Sequence, residues 1–166
     1  RESRYDIYDL VPEFPEPLVP VPMRRELTER ISGTGEILQP LSPQEVKVTI
    51  QELVDKGANS IAVCLLHSYI NPEHEEAIAE SIIESFHDMS FSLSSKVCPE
   101  IREYERTSTT VANAYIQPIV SRYLEDLESN LDDVPLYLML SNGGIATARS
   151  AARTPIRMIE SGPAGG

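Results

Sequence analysis

Apolar residues recur along this chain at two spacings, and the alternation between them predicts an α/β protein. Val46, Ile50, Leu53 and Val54 step at helical spacing. Ser42 and Glu45 form a capping-box pair ahead of them, Pro43 takes the first helical position, and Gly57 stops the run. Ser60 to Leu66 then reads SIAVCLL, apolar at nearly every position, as a strand covered on both faces does. Asn71 and Pro72 open a second helix with Glu73, Glu75 and Glu76 in its first turn, where the helix dipole favours acids, and Ile78, Ile82 and Phe86 mark its buried face. The strand FSLSSKV, Phe91 to Val97, completes a βαβ unit.

From Thr107 the apolar positions Val111, Tyr115, Ile119, Tyr123, Leu127 and Leu131 step by four. Pro118 falls inside this run, where it removes one helical hydrogen bond and costs about 3 kcal/mol, so either the helix kinks or a second one starts at Gln117. A strand at Leu136 to Leu140, a turn through SNGG, a short helix near Ala148 and a strand at Ile156 to Ile159 follow. Strands alternating with helices predict a mostly parallel sheet with flanking helices. Residues 1–41 read differently. Pro12, Pro15, Pro17, Pro20 and Pro22 impose extended backbone after a short YDIYDL strand, so they form a connecting arm ahead of an α/β domain at 42–166.

Composition narrows the function classes. A chain of 166 residues with 41% hydrophobic positions builds one ordinary domain or a piece of a larger one. Its formal net charge of -12 argues against nucleic acid and anionic membranes as partners. No apolar run approaches the roughly 20 residues that cross a bilayer, and the start RESRYDIYDL has no signal pattern. Two cysteines, Cys64 and Cys98, make no disulfide framework and suit a reducing cytoplasm. A start without Met and an end on Gly165 and Gly166 read as cuts in a longer polypeptide.

Ligands of open α/β sheets gather at the carboxyl ends of strands, which directs attention to three places. His67, after IAVCLL, suits a general base, a ligand or a donor to a carbonyl, although a strand-end cap is the simpler reading. Asn142, Gly143 and Gly144 offer amides to an anion, yet Asn-Gly is first a turn dipeptide and no P-loop lysine follows. Glu160 is the proton acceptor of the terminal ESGPAGG, where Ser161 and Gly162 serve either chemistry or close packing. In PEIREYERTSTT, Arg102 and Arg106 are candidates to clamp a carboxylate bidentately, against a solvated ion-pair network capped by Thr107 or Ser108. No spacing of Cys or His matches a metal site.

Four stretches carry a resemblance: VCLLHSYINPEHE (63–75), SSKVCPEIREYERTSTTVANAYIQP (94–118), LMLSNGGI (138–145) and RMIESGPAGG (157–166). In them the chain resembles an internal piece of the hydantoinase A and 5-oxoprolinase family, whose relatives include N-methylhydantoinase and the acetone and acetophenone carboxylases. The resemblance implies an actin-like and sugar-kinase-like ATPase fold of ribonuclease-H-like lobes. It implies ATP with Mg²⁺ or Mn²⁺ in the parent protein and a cyclic amide substrate, opened by water after phosphorylation of the amide oxygen. It also implies a hydantoinase B-type partner subunit and an oligomer. The family's glycine-rich phosphate motifs are not among these residues, so no nucleotide is expected to bind tightly to them alone. The catalytic residues stay open, with His67 and Glu160 as candidates. A ketone carboxylase is the first alternative. A reactivase-like ATPase chaperone is the second, disfavoured by EIREYERTSTT and CLLHSY.

Overall fold

Residues 16–131 and 134–165 are described by a computed structural model. The YDIYDL strand, Pro12 and Pro15 lie outside the described residues. Pro20 is extended and leads into a single 3₁₀ turn at Val21–Met23. A short hairpin follows, β1 (Arg30–Ile31) antiparallel to β2 (Ile37–Gln39), closed by a turn in which Ser32 Oγ accepts from the amides of Thr34 and Glu36 and Gly35 takes φ 90°. Ile31 is fully buried, and polar contacts tie the hairpin down. Glu29 Oε2 lies 2.6 Å from His74 Nδ1, and Glu45 Oε1 accepts from both Thr28 N and Thr28 Oγ1 at 2.9 Å.

Helix α1 (Pro43–Asp55) has the expected start, with Ser42 Oγ accepting from Glu45 N at 3.4 Å. Only half of the capping box closes, because the Glu45 carboxylate is spent on Thr28. Gly57, at φ 89°, ends the helix, and Val46, Ile50 and Leu53 face inward. Strand β3 (Ser60–Val63), helix α2 (Glu73–Ser85) and strand β4 (Ser90–Leu93) form the βαβ unit, with β3 and β4 parallel and Ser60 opposite Ser90.

Both strands stop short of the ends expected for them, Leu66 and Val97, and one side chain explains both. Glu75 Oε1 takes the Leu65 amide at 3.0 Å and the Ser94 hydroxyl at 2.6 Å, while Oε2 takes the Ser95 amide at 2.9 Å. The segment expected to continue β4, SSKV, therefore winds into a helical turn, α3 (Ser94–Val97).

Helix α4 (Glu103–Ser129) begins four residues before Thr107, so neither Thr107 nor Ser108 caps it. It runs through Pro118 as one helix of 27 residues. Ala114 O, the acceptor that Pro118 leaves without its helical donor, instead receives the Ser60 hydroxyl at 2.8 Å.

The face that α4 buries is not the one marked by the apolar steps of four. Tyr115, Ile119 and Tyr123 are 60%, 68% and 62% exposed, whereas Arg106, Thr110, Asn113, Ala114 and Leu124 are buried. The reason lies in the alternation of the strands. Ile61, Val63 and Leu93 point into the core formed with α1 and α2, leaving Ser60 and Ser92 on the other face. Those serines select the polar ridge of α4: Ser92 Oγ donates to Gln117 Oε1 and accepts from Asn113 Nδ2, both at 2.9 Å.

The remaining elements pack on the second half of α4. Strands β5 (Tyr137–Met139) and β6 (Ile145–Thr147) form an antiparallel hairpin. Thr147 caps α5 (Ala148–Arg153) by accepting from Ser150 N at 3.3 Å, and Ala148, Ala151 and Leu124 centre a second small core. The strand expected at Ile156 to Ile159 is instead a 3₁₀ turn, Pro155–Met158, before a final turn α6 (Ser161–Gly165). Its proline start and the capture of Ile156 N by Asn113 Oδ1 at 3.1 Å withhold it from a ladder. The α/β class holds, with the parallel pair β3–β4 flanked by α1 and α2 on one face and α4 on the other.

Candidate functional site

The carboxyl end of β3 carries a layer of buried polar side chains. Beyond Val63 the backbone turns at residues 66–70, and His67 sits at φ 62°, in the left-handed region that a side chain disfavours. Its imidazole is half-buried, with Tyr69 Oη 3.5 Å from Nδ1, at the outer limit of a hydrogen bond. Its carbonyl accepts from Ile70 N at 2.9 Å and Asn71 N at 3.2 Å.

Beneath this turn lies a layer of buried polar groups. Glu75 is fully buried and makes the three bonds that end the strands. Ser94 Oγ also lies 3.0 Å from Ser68 Oγ. Arg106 is 1% exposed. It donates from Nη2 to Leu65 O at 3.1 Å and from Nη1 to Glu100 O at 2.8 Å, and it stacks 5.4 Å from the centre of the Tyr69 ring, while its Nε has no partner. Glu75 and Arg106 thus hold the N–H and the C=O of one residue, Leu65, with no direct ion pair between them.

Arg106 was a candidate for clamping a substrate carboxylate, and the structure corrects that role: its guanidinium is inside and engaged with backbone carbonyls. Arg102 is 74% exposed and, among the described residues, pairs with Glu105 at 3.4 Å.

Cys64 belongs to the same layer. Burial, and then the Glu75 charge, push its thiol up from 9.0 to about 11, against smaller opposing effects of Thr110, Thr107 and Arg106. At neutral pH it stays protonated, so alkylation of Cys64 by iodoacetamide, read by peptide mass spectrometry, is expected to lag far behind that of a free thiol. Glu75→Gln is expected to speed it. Between pH 9 and 11 the unfolded chain releases this proton while the folded chain keeps it, so the Cys64 contribution to stability declines as pH rises through that window.

The second cluster is the tip of the β5–β6 hairpin. Gly143, at φ 80°, donates its amide to Leu140 O at 2.9 Å, and Gly144 donates to Asn142 Oδ1 at 3.0 Å. Ser141 joins this turn to the chain end, donating from N to Arg157 O at 2.7 Å and accepting at Oγ from Glu160 N at 3.1 Å. The structure thereby brings Asn142, Gly143 and Gly144 beside Glu160, Ser161 and Gly162, all on the surface or close to it. Among the described residues no hydrogen bond or ion pair connects this cluster with His67. A groove of about 330 Å³ between α4 and α5 is lined by Glu125, Glu128, Arg149 and Arg153 and by none of the sequence-predicted residues.

These residues do not fit a nucleotide as they stand, because the two glycine amides that would cradle a phosphate already close the turn. Among the described residues, no three His, Cys, Asp or Glu side chains stand together as metal ligands. No described helix is long and apolar enough to cross a membrane. Sequence reasoning missed Glu75, Ser94 and Asn113. Glu75 shares the inward stripe of Ile78 and Ile82 at helical spacing, a signal hidden by its position in an acid-rich first turn.

An α/β unit of this kind, with polar chemistry at the carboxyl end of a parallel pair, has well-matched counterparts. Residues 1–86 match the hydantoinase/oxoprolinase N-terminal region, and residues 106–166 match hydantoinase/oxoprolinase. The chain belongs to the hydantoinase/oxoprolinase family.

It is 32% identical to the caprolactamase subunit alpha of Pseudomonas jessenii, over 89% of this chain and 22% of that protein. It is 34% identical to 5-oxoprolinase 1 of Arabidopsis thaliana, over 78% and 10%, and 31% identical to the acetophenone carboxylase gamma subunit of Aromatoleum aromaticum, over 92% and 22%. The crystal structure of the ATP-dependent caprolactamase from Pseudomonas jessenii superposes with a TM-score of 0.83 and 31% identity, covering 97% of this chain and 23% of that one. Nucleotide-free acetone carboxylase gives 0.73 and 26%, covering 93% and 22%. The chain spans a quarter or less of the length of these relatives.

Proposed function

We propose that this chain is part of an ATP-dependent enzyme that opens a cyclic amide of the 5-oxoproline or hydantoin type by phosphorylating the amide oxygen. Phosphorylation turns a poor electrophile into one that water attacks, with Mg²⁺ or Mn²⁺ screening the phosphates. The observation that carries this reading is the superposition on an ATP-dependent caprolactamase along 97% of the chain. Within the whole enzyme, of an actin-like ATPase architecture, we assign these residues a scaffold role, with His67 facing the substrate oxygen and the phosphate grip supplied elsewhere. The engaged amides of Gly143 and Gly144 support that division. Glu160, on the surface beside the hairpin tip, is kept as the second candidate. We further propose a B-type partner subunit within an oligomer, since two relatives are named as subunits. A cytoplasmic setting accords with Cys64 and Cys98 standing as free thiols.

The test is ATP hydrolysis by the polypeptide of full family length that carries these residues. Phosphate release is expected to depend on 5-oxoproline, a hydantoin or a lactam, and calorimetry of the 166-residue chain with ATP and Mg²⁺ is expected to give no saturable micromolar isotherm. The second reading, a ketone carboxylase, is favoured by the likeness to acetone and acetophenone carboxylases. Hydrolysis that requires bicarbonate and a ketone selects it. Hydrolysis indifferent to every such substrate counts against both enzymes and for the ATPase chaperone.

A further inference from the structure

We propose that Glu75 and Arg106 are positioning residues for His67, Glu75 holding the N–H of Leu65 and Arg106 its C=O, and so fixing the turn that presents the imidazole. The proposal rests on the reading of His67 as the substrate-facing residue. Two limbs reach the ring. Through the backbone, Glu75 Oε1 holds Leu65 N at 3.0 Å and Arg106 Nη2 holds Leu65 O at 3.1 Å, two residues before His67. Through side chains, Arg106 stacks on Tyr69, whose hydroxyl stands 3.5 Å from His67 Nδ1 and leaves Nε2 for a ligand. The Ser68–Ser94–Glu75 chain fixes the far side of the turn, with hydroxyl separations of 3.0 Å and 2.6 Å.

Stability alone does not call for this construction. Two buried charged groups without a direct partner, one with an unsatisfied Nε, are an expensive way to close a turn that apolar side chains would close. The same turn holds a histidine in left-handed backbone, which persists only where its surroundings over-determine it. What the arrangement does secure is the direction of one imidazole.

The first measurement is the ¹⁵N spectrum of the histidine rings in the 166-residue chain. A single tautomer with the proton on Nε2 is expected for His67, replaced by mixed tautomers in Glu75→Gln and in the milder Ser94→Ala, with His87 unchanged. The second is kinetic, on the polypeptide of full family length. His67→Ala is expected to raise KM for the cyclic amide on the order of tenfold with KM for ATP unchanged, Glu75→Gln to raise it in the same direction, and the double variant to be no worse than His67→Ala. An unaltered His67 spectrum in both variants overturns the proposal, as do effects of Glu75→Gln and His67→Ala that multiply. If the unaltered protein shows no amide-dependent ATP hydrolysis, the functional reading fails, and the ring spectra alone decide whether Glu75, with the Ser94 hydroxyl bonded to it, positions His67.

Discussion

Arg106→Ala is expected to destabilise the chain by about 3–5 kcal/mol, a large share of what a domain of this size possesses. Three losses combine. The carbonyls of Leu65 and Glu100 lose a charged donor in a buried place, the Tyr69 ring loses the cation stacked on it, and Glu75 loses the positive charge across the Leu65 peptide. Urea unfolding followed by circular dichroism measures the effect. Arg106→Lys keeps the charge but not the fork that serves two carbonyls, so an intermediate loss is expected. Glu75→Gln combined with Arg106→Met is expected to lose less than the sum of the single changes, because both charges then leave the interior together. A loss below about 1 kcal/mol for Arg106→Ala would mean that the guanidinium is not holding the strand end.

The same residues show what the sequence reveals and what it hides. Helices α1 and α2 are legible because their apolar positions, caps and stops agree, and the βαβ unit follows from the runs between them. Strand lengths are not legible, since β3 and β4 stop where Glu75 captures their continuations, a tertiary event between residues ten to twenty positions apart. The orientation of α4 is not legible for a related reason. Periodicity points to the Tyr115, Ile119 and Tyr123 stripe, but the strand face it meets offers Ser60 and Ser92, and hydrogen bonding turns the helix over. The apolar stripe is left on the surface as a consequence. Of the candidate site, His67 and the SNGG turn are visible because both follow apolar runs. The support beneath His67 is not, because buried Glu and Arg read as surface charges unless their helical phase is weighed.

Pro118→Ala is expected to stabilise the chain by about 1–3 kcal/mol, an unusual sign for a change inside a long helix. The restored N–H at position 118 would donate to Ala114 O, the acceptor now served by the Ser60 hydroxyl at 2.8 Å. Ser60 sits at the first position of β3, so this one bond also ties the sheet to the middle of α4. Ser60→Ala is therefore expected to cost about 1–2 kcal/mol in the natural chain, where it strands a partly buried carbonyl, and much less once Pro118 is Ala. A double-mutant cycle on thermal unfolding should return a coupling of about 1 kcal/mol between positions 60 and 118. Additive effects would show that Ala114 O finds another donor, and that the continuity of α4 through Pro118 owes nothing to Ser60.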